Sequence, residues 1–473
     1  MEKSRNLMLP GNPRYQPKSL QMYFGYDNLM VPVVEVEIAG LQVLGETGII
    51  PAADYALLTP EVISQLMDIT TSEVDEVERK ITKHDIRALV RLMQEILPPP
   101  LRRWAHTPFT SYDPLDSARS ITFVRAQQYV VGPKVKRAIF LLADLVEKHA
   151  SQVQIGRTHG QHALPITVGF WLATILHRWV YNAERMDNHA AELVGKISGA
   201  VGAYNAQCGL QFPTFFEQSV LTKVGICAAP ISTQILPPEP LAYYLYSCLN
   251  LSAALAQFAR DCRQLMRSEI GEVREEFVTG QVGSSTMAHK RNPLTFENIE
   301  GMYIRTKNEF GKVLDTMISE HQRDLVGSCV YRDFPAIIVN LTVQLENLLR
   351  ENDAKVPFLS RISVDAEACQ RNLSTSAHLV MAEPTYLALQ MAGYRGDAHE
   401  LVNRTLVPVA MSSGKQLITV LEELSTENED LRTALEYIPV DVRSLLHHPD
   451  QYTGRATQKA LEISSLAREY AQS

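Results

Sequence analysis

The chain has 473 residues, of which 45% are hydrophobic and 21% are charged. This balance is typical of a globular protein and excludes a mainly disordered or fibrous chain. Asp and Glu number 53 against 45 Lys and Arg, which gives a net charge of −8 and disfavours nucleic acid or an anionic membrane as the main partner.

The cysteines and the N-terminal residues bear on the cellular compartment. Six cysteines are scattered without a Cys-x-x-Cys pair, a pattern typical of reduced intracellular thiols. The first residues carry mixed charge and have no apolar run of signal-peptide type. The apolar run at residues 168–176 is too short to span a bilayer. We therefore expect a cytoplasmic protein.

The order of predicted elements along the chain favours an all-α fold. Residues 1 to about 118 predict short helices separated by Pro and Gly turns. Long helices are then predicted wherever apolar residues recur at the helical period, in segments beginning at Val135 and covering roughly 164–194, 251–271 and 294–318. From about residue 366 the predicted helices shorten. No series of alternating strand segments is present.

These segments predict three regions: an N-terminal, mostly helical domain (1–118), a central long-helix bundle (119–365) and a small helical C-terminal domain (366–473). The apolar positions of the long helices cover more than one face, which favours packing against other subunits. A long monomeric bundle is the alternative that this pattern leaves open.

Common cofactor motifs are absent from the sequence. It contains no P-loop, no G-x-G-x-x-G after a strand and no H-E-x-x-H. His159 and His162 have the spacing of a metal pair, but no carboxylate or cysteine beside them completes a site. We expect neither a metal nor an organic cofactor.

Residues 280–293 (GQVGSSTMAHKRNP) carry the strongest chemical signal. They lie between two predicted helices, and Gly280 and Gly283 give the backbone unusual freedom. Pro293 suits the first position of the next helix, with Asn292 as its cap. The loop is therefore predicted to end at a helix N-terminus, which favours an anion. A flexible polar linker is the alternative interpretation.

The run GSSTMAHKRNP resembles the signature loop of the fumarase/aspartase superfamily. Residues 106–116 and 156–165 resemble its other active-site regions, and both predict loop-to-helix junctions. The resemblance implies an all-helical, three-domain fold whose central bundle builds a homotetramer core. It also implies β-elimination next to a carboxylate, with release of fumarate, in sites assembled from three subunits.

Within the superfamily, four further segments resemble the adenylosuccinate lyases: Arg14-Tyr15, residues 82–85, residues 231–234, and residues 322–325 with Ser328 and Arg332. This resemblance implies a succinyl-purine nucleotide as small-molecule partner and a place in purine biosynthesis, with adenylosuccinate giving AMP and SAICAR giving AICAR. The substrate-binding residues it implies are Arg14, Tyr15, Thr110, Ser111, Asp113, Thr158, Gln234, Ser285, Met287, Asn292, Arg323, Ser328 and Arg332. Three arginines in this set suit a phosphate, which prefers charge-assisted donors.

The same resemblance assigns catalytic roles. Ser284 is the expected base, made plausible by Lys290 and backbone donors that stabilise its alkoxide. His159 is the expected acid, with Glu297 as its partner. His84 and His106 are expected in binding or proton relay. Lys290 and Asn292 are expected to stabilise the doubly charged intermediate.

Two departures from the family pattern keep other functions open. Residues 235–241 read ILPPEPL, where many adenylosuccinate lyases have a basic run, and Ala288 replaces a usual proline. A different C–N lyase or cycloisomerase of the superfamily, of argininosuccinate or carboxymuconate type, is therefore the alternative. A catalytically silent helical oligomer is disfavoured because Ser284, Lys290, Asn292 and His159 are all present.

Overall fold

The computed structural model describes residues 4–275, 287 and 290–473. Helices dominate this part of the chain, as predicted. The strands within it form three two-stranded sheets. Val153–Thr158 pairs antiparallel with Gln161–Thr167, Val194–Gly195 pairs parallel with Cys227–Ala228, and Val273–Arg274 pairs antiparallel with Ser363–Val364.

The α-helices follow one another along the whole described chain. Up to residue 191 they are Gln21–Phe24, Val31–Glu46, Ala52–Tyr55, Pro60–Met67, Thr71–Val77, Asp85–Ile96, Tyr112–Ala126, Gly132–Lys148 and Val168–Ala191. Between residues 205 and 349 they are Asn205–Gly209, Phe216–Val224, Glu239–Leu265, Leu294–Asp315, Val326–Val330 and Pro335–Leu349. The remaining ones are Ala366–Ser376, Ala382–Met391, Ala398–Leu401, Val407–Ser413, Leu417–Ser425, Glu429–Tyr437, Val440–Leu446 and Ala456–Gln472.

Shorter helical turns connect several of these elements. The 3₁₀ turns are Lys18–Leu20, Tyr26–Asn28, Pro99–Trp104, Tyr331–Asp333, Phe358–Arg361 and Pro449–Gln451. The π-helical turns are Glu78–Thr82, Gln127–Val131 and Val402–Leu406. The predicted long helices are confirmed at Gly132–Lys148, Val168–Ala191, Glu239–Leu265 and Leu294–Asp315. The helix predicted at 251–271 begins earlier, at Glu239, and ends at Leu265.

The chain divides into two compact units, each built from three separate stretches. The first unit contains residues 1–136, 181–256 and 298–349, and the second contains residues 137–180, 257–297 and 350–473. The three-domain division at about residues 118 and 365 stays a prediction.

The core of the first unit surrounds the Val31–Glu46 helix. Val34, Leu41 and Leu44 on this helix are almost fully buried, together with Leu89 and Leu221 from two other helices. The helix is apolar on nearly every face, which is the pattern of an element enclosed by its neighbours. Across the described ranges, no single helix combines the length and apolarity needed to cross a membrane. Lys18–Asn28 and Val31–Glu46 reach that length and apolarity only when taken together, and they are bent by 68° relative to each other.

The core of the second unit is formed by short helices of the C-terminal region. Leu389, Leu406, Leu417 and Leu421 are buried together there. Ile155, from the Val153–Thr158 strand, joins the same cluster. The strand pair is therefore anchored in a hydrophobic core at one of its residues.

The prediction of a loop-to-helix junction at residues 156–165 is wrong, and the helix predicted over roughly 164–194 is shorter at its start. Residues 153–167 form an antiparallel hairpin, and the helix begins at Val168. His159 and Gly160 form the two-residue turn, with φ angles of 54° and 76°, as a type I′ turn requires. The short apolar run at 163–166 leads directly into the helix, and periodicity cannot separate a strand from a helix over so few residues.

Candidate active site

The junction predicted at residues 106–116 is confirmed, and it places His106 beside a buried carboxylate. Residues 106–111 lead into the Tyr112–Ala126 helix. His106 Nδ1 lies 2.6 Å from Oε1 of Glu37, whose side chain is 1% exposed. The Phe109 ring fits against Gly40 of the Val31–Glu46 helix, where an added Cβ atom would lie 2.5 Å from the ring. The loop is therefore docked on that helix by both a polar and an apolar contact.

Three predicted substrate-binding residues, Gln234, Arg323 and Ser328, meet around one guanidinium. Arg323 Nη1 donates to Oε1 of Gln234 at 2.9 Å, and Nη2 donates to Oγ of Ser328 at 3.4 Å. The guanidinium carbon lies 3.5 Å from the centroid of the Tyr112 ring, and the Tyr112 hydroxyl is 2.9 Å from Oγ of Ser328. Aromatic stacking and neutral hydrogen-bond partners therefore fix the orientation of Arg323.

Asp113, the residue after Tyr112, is fully buried. Its carboxylate pairs with Lys196, and both side chains are 0% exposed. It also accepts backbone N–H groups from Thr110, Ser198 and Gly199. These internal contacts indicate that Asp113 positions loops, and its predicted contact with the substrate stays a prediction.

The loop held by Asp113 and Lys196 packs directly on the turn that carries Gln234. Ser198 Oγ lies 2.7 Å from Oγ of Ser232. At Gly202, whose φ is 75°, an added Cβ atom would lie 2.1 Å from the backbone oxygen of Ser232. No other residue type fits there without displacement. Contacts through this loop therefore connect the buried ion pair to the position of Gln234.

Other predicted residues of the first unit have contacts of their own. Arg14 is exposed, and Tyr15 is contacted by the guanidinium of Arg305 at 5.1 Å from its ring centroid. Arg332 is 75% exposed and lies 3.8 Å from Asp85. Asp85 is also 3.3 Å from Nδ1 of His84. Asp85 thus connects His84 and Arg332. Thr110 and Ser111 are half-buried at the start of the Tyr112–Ala126 helix.

In the second unit, His159 and Thr158 are exposed at the tip of the hairpin. His162, on the returning strand, has Nδ1 2.8 Å from Oγ of Ser376. Burial, followed by the charge of Arg157, lowers the pKa of His162 below its ordinary value. His162 therefore has a structural partner, whereas His159 is presented at the surface of the protomer.

The signature segment is described only in part. Ser284 and Ser285 lie outside the described residues. Met287 and Lys290 are exposed, and Asn292 is half-buried two residues before the Leu294–Asp315 helix. Leu294, not the predicted Pro293, is the first residue of that helix. Glu297 lies 3.9 Å from Nη2 of Arg263, and its predicted pairing with His159 stays a prediction.

Glu275 caps the helix that follows the signature segment. Its Oε1 accepts the backbone N–H groups of Thr295 at 3.0 Å and Phe296 at 3.2 Å. Burial raises the pKa of the Glu275 carboxyl above its ordinary value, although these hydrogen bonds act in the opposite direction. Glu275 therefore supplies an acceptor for two N–H groups of the first helical turn, which have no partner within the helix.

The proline-rich segment lines a small cavity in the first unit. The cavity, of about 40 Å³, is bounded by residues 235–238 and 240–242 and by Arg119 and Tyr331. Arg119 lies over the Tyr331 ring at 4.4 Å and donates to Asp116 at 2.9 Å. A second cavity, of about 20 Å³, shares Ile235 and Tyr331 and is lined by Tyr112, Arg323 and Ser328. Residues 237–241 thus lie close to the Arg323 group.

The sequence did not point to several residues that organise these sites, namely Glu37, Tyr112, Arg119, Lys196, Glu272 and Glu275. A signal existed for some of them. Glu37 and Lys196 are charged residues within largely apolar runs, and such residues are buried only with partners. Within residues 4–275, 287 and 290–473, no group of three His, Cys, Asp or Glu side chains is arranged to hold a metal ion. The expectation of no metal stays a prediction.

Comparison with known proteins defines the class of this fold. Residues 60–306 match a family described as Lyase. An adenylosuccinate lyase of Archaeoglobus fulgidus is 30% identical over 461 residues, covering 96% of this chain and 97% of the relative. One from Bacillus subtilis is 31% identical over 418 residues, covering 88% and 92%. The crystal structure of 3-carboxy-cis,cis-muconate lactonizing enzyme from Pseudomonas putida superposes with a TM-score of 0.79 at 21% identity, covering 96% of this chain and 98% of that one.

The protein is therefore an enzyme of the lyase class, and its fold is that of the muconate lactonizing enzyme. More narrowly, the chain belongs to the fumarase/aspartase superfamily, in the family of the adenylosuccinate lyases. The resemblance carried by the signature segment is confirmed over nearly the whole length of the chain.

Proposed function

We propose that the chain cleaves adenylosuccinate to AMP and fumarate, and that it also converts SAICAR to AICAR in purine biosynthesis. Within the described residues, Arg323 has no carboxylate within ion-pair distance, whereas its neutral partners Gln234 and Ser328 orient it. This observation carries the proposal. An arginine held in place without a counter-ion is prepared for an anion such as the nucleotide phosphate.

The proposed reaction is a β-elimination. Ser284, as alkoxide, takes the proton from the carbon adjacent to a carboxylate of the succinyl group. The electron pair of that C–H bond first builds a doubly charged aci-carboxylate and then forms the C=C bond of fumarate. The C–N bond breaks, and His159 gives its proton to the departing nitrogen. Lys290 and Asn292 stabilise the intermediate, because donors placed at developing charge lower the barrier most.

The remaining predicted residues have supporting roles in this proposal. Glu297 orients the imidazole of His159. His106, oriented by Glu37, and His84 bind substrate carboxylates or relay protons. Arg14 and Arg332 join Arg323 at the phosphate. Thr110, Ser111 and Thr158 offer hydroxyl groups to the substrate. Tyr15 and Met287 contact the purine ring, and Ser285 donates to a substrate carboxylate. No cofactor is part of the proposal.

We infer that the active form is a homotetramer in the cytoplasm, with each site assembled from three subunits. If so, two variants that each lack a different catalytic residue complement each other in mixed tetramers. We expect Ser284→Ala and His159→Ala proteins, each inactive alone, to regain part of the wild-type activity when they are unfolded and refolded together. A mixture as inactive as its components would contradict the shared site.

The direct test follows adenylosuccinate by ultraviolet absorbance with the purified protein. We expect fumarate and AMP in equal amounts, and a loss of at least about 10²-fold in turnover for Ser284→Ala and His159→Ala. Unchanged turnover in either variant would remove that residue from the mechanism. If a folded wild-type tetramer gives no fumarate, the substrate proposal is wrong. Argininosuccinate- and carboxymuconate-type substrates would then be assayed, because residues 237–241 depart from the family pattern.

A further inference from the structure

The tip of the hairpin bears His159, and the strand that leads to it is held by the buried side chain of Glu272. We propose that Glu272 is a positioning residue for His159, which it fixes through the Val153–Thr158 strand. The catalytic part of this inference rests on the proposed function, which makes His159 the general acid. The positioning part concerns the hairpin alone and is testable without substrate.

The Glu272 carboxylate is fully buried and accepts hydrogen bonds from three side chains. Gln154 Nε2 donates to Oε2 at 2.7 Å, and Arg157 donates through Nη1 to Oε2 at 3.0 Å and through Nη2 to Oε1 at 2.7 Å. Asn372 Nδ2 donates to Oε1 at 2.7 Å. The two-pronged arginine contact sets the orientation as well as the distance. Both Gln154 and Arg157 belong to the strand that leads to His159.

The backbone of Glu272 is fixed by hydrogen bonds at both its N–H and its carbonyl group. Its N–H donates to the oxygen of Leu265, and its carbonyl accepts the N–H of Asp365, each at 3.0 Å. Asn372 belongs to the Ala366–Ser376 helix and also donates to the oxygen of Ile270 at 2.9 Å. The carboxylate is therefore a fixed point to which the hairpin is attached.

The hairpin needs such an attachment to hold its tip in place. A two-stranded hairpin is only marginally stable by itself. Thr158, His159 and Gly160 are exposed, so the tip is not held by packing within the protomer. His159 lies two residues beyond Arg157, and its backbone is in the left-handed region. Small rotations at Arg157 are therefore passed directly to the imidazole.

The catalytic test compares Glu272→Gln with wild type on adenylosuccinate. The amide keeps the shape of the side chain but places an NH₂ group against N–H donors, which leaves them unpaired. We expect kcat to fall about tenfold or more, while KM changes less than about threefold, because an acid misplaced by an ångström affects the chemical step. In a His159→Ala background the same substitution should change kcat by less than about twofold, because residues that act as a unit are not additive.

If Glu272→Gln lowers kcat by the same factor in the His159→Ala background as in wild type, Glu272 acts independently of His159. That result would overturn the catalytic part of the inference. Glu422→Gln is the matched control: Glu422 also accepts from an arginine, Arg443, at 2.9 Å in the same unit, and has no role in the proposed site. We expect wild-type kcat from it. Asn372→Leu replaces Glu272→Gln in these tests if the latter does not fold. It removes one donor to Glu272 and leaves the Arg157 pair intact, so we expect a smaller loss of kcat.

Hydrogen exchange provides the readout that is independent of catalysis. Amides of residues 153–167 should exchange faster in Glu272→Gln, or in Asn372→Leu, than in wild type and Glu422→Gln, while the Glu239–Leu265 helix keeps its protection. Unchanged exchange in the hairpin would overturn the inference even if the enzyme is an adenylosuccinate lyase. Faster hairpin exchange in a protein that does not cleave adenylosuccinate would keep the positioning role and reject the proposed substrate.

Discussion

The guanidinium of Arg323 lies 3.5 Å from the centroid of the Tyr112 ring, and both side chains contact Ser328. Tyr112 opens the helix that follows the His106 loop, whereas Arg323 precedes the Val326–Val330 helix. The aromatic face therefore sets where the positive charge lies, although the two residues are more than 200 positions apart in the chain. The stack can be tested separately from the hydrogen bond.

Tyr112→Phe keeps the ring and removes the hydroxyl, whereas Tyr112→Leu removes the stacking as well. We expect KM for adenylosuccinate to rise by about threefold in the first and by about tenfold in the second, with kcat less affected, since a cation–π contact at a half-buried site is worth about 1 kcal/mol. Steady-state kinetics measure both. Arg323→Lys should resemble the leucine variant, because lysine lacks the planar fork. Equal KM values for the phenylalanine and leucine variants would show that the stack has no role.

Gly202→Ala tests whether the buried Asp113–Lys196 pair acts on Gln234 through the intervening loop. The added methyl group meets the backbone of Ser232 at 2.1 Å and should displace the turn, raising KM by about tenfold, a transition-state loss of about 1.4 kcal/mol. Gly225→Ala is the control: its φ is 85°, so its conformational cost is similar, but no atom lies within 4 Å of the added group. KM shifts of the same size in both variants would argue against a role for the contact between Gly202 and Ser232.

Glu37 and Glu35 lie two residues apart on one helix and differ in burial. Glu37→Gln weakens the buried contact with His106 and should lower the free energy of unfolding by about 1–3 kcal/mol. Glu35→Gln weakens a partly exposed pair with Arg125 and should cost less than about 1 kcal/mol. Urea unfolding of the full chain compares them. Kinetic measurements should show a loss of kcat/KM for Glu37→Gln alone, and equal losses for the two variants would contradict a role for His106.

Glu275 predicts a pH dependence of stability. Its pKa is raised from the ordinary value of 4.5 by burial, so the folded state binds the proton more tightly than the unfolded state. The stabilisation this provides is complete below 4.5 and is lost as the pH rises through the folded-state pKa. Glu275→Gln has no charge to bury and retains an acceptor for the helix N-terminus.

The free energy of unfolding of Glu275→Gln, relative to wild type, should therefore increase between pH 4.5 and neutrality. Urea titrations at a series of pH values measure this difference. A difference that stays constant with pH, or decreases, would show that the ionised carboxylate is well accommodated at the helix start.

The sequence predicts the long helices because their apolar periodicity extends over many turns, as in Glu239–Leu265. It does not predict the hairpin at residues 153–167, where the strands are short and Pro165 lies in an apolar run that leads into a helix. Family resemblance singles out Gln234, Arg323 and Ser328 as substrate-binding residues, and the structure brings these three together. The partners that orient such groups, including Tyr112, Glu37 and Glu272, come from distant segments, and only the folded chain brings them together.

The interleaved composition of the two compact units has a consequence for synthesis on the ribosome. The first unit takes its last stretch from residues 298–349, so it stays incomplete until about three quarters of the chain has been translated. At about 5–20 residues per second, the apolar helix Val31–Glu46 waits many seconds for core partners such as Leu221. Its apolar surface stays uncovered during that interval, which favours aggregation unless a chaperone covers it.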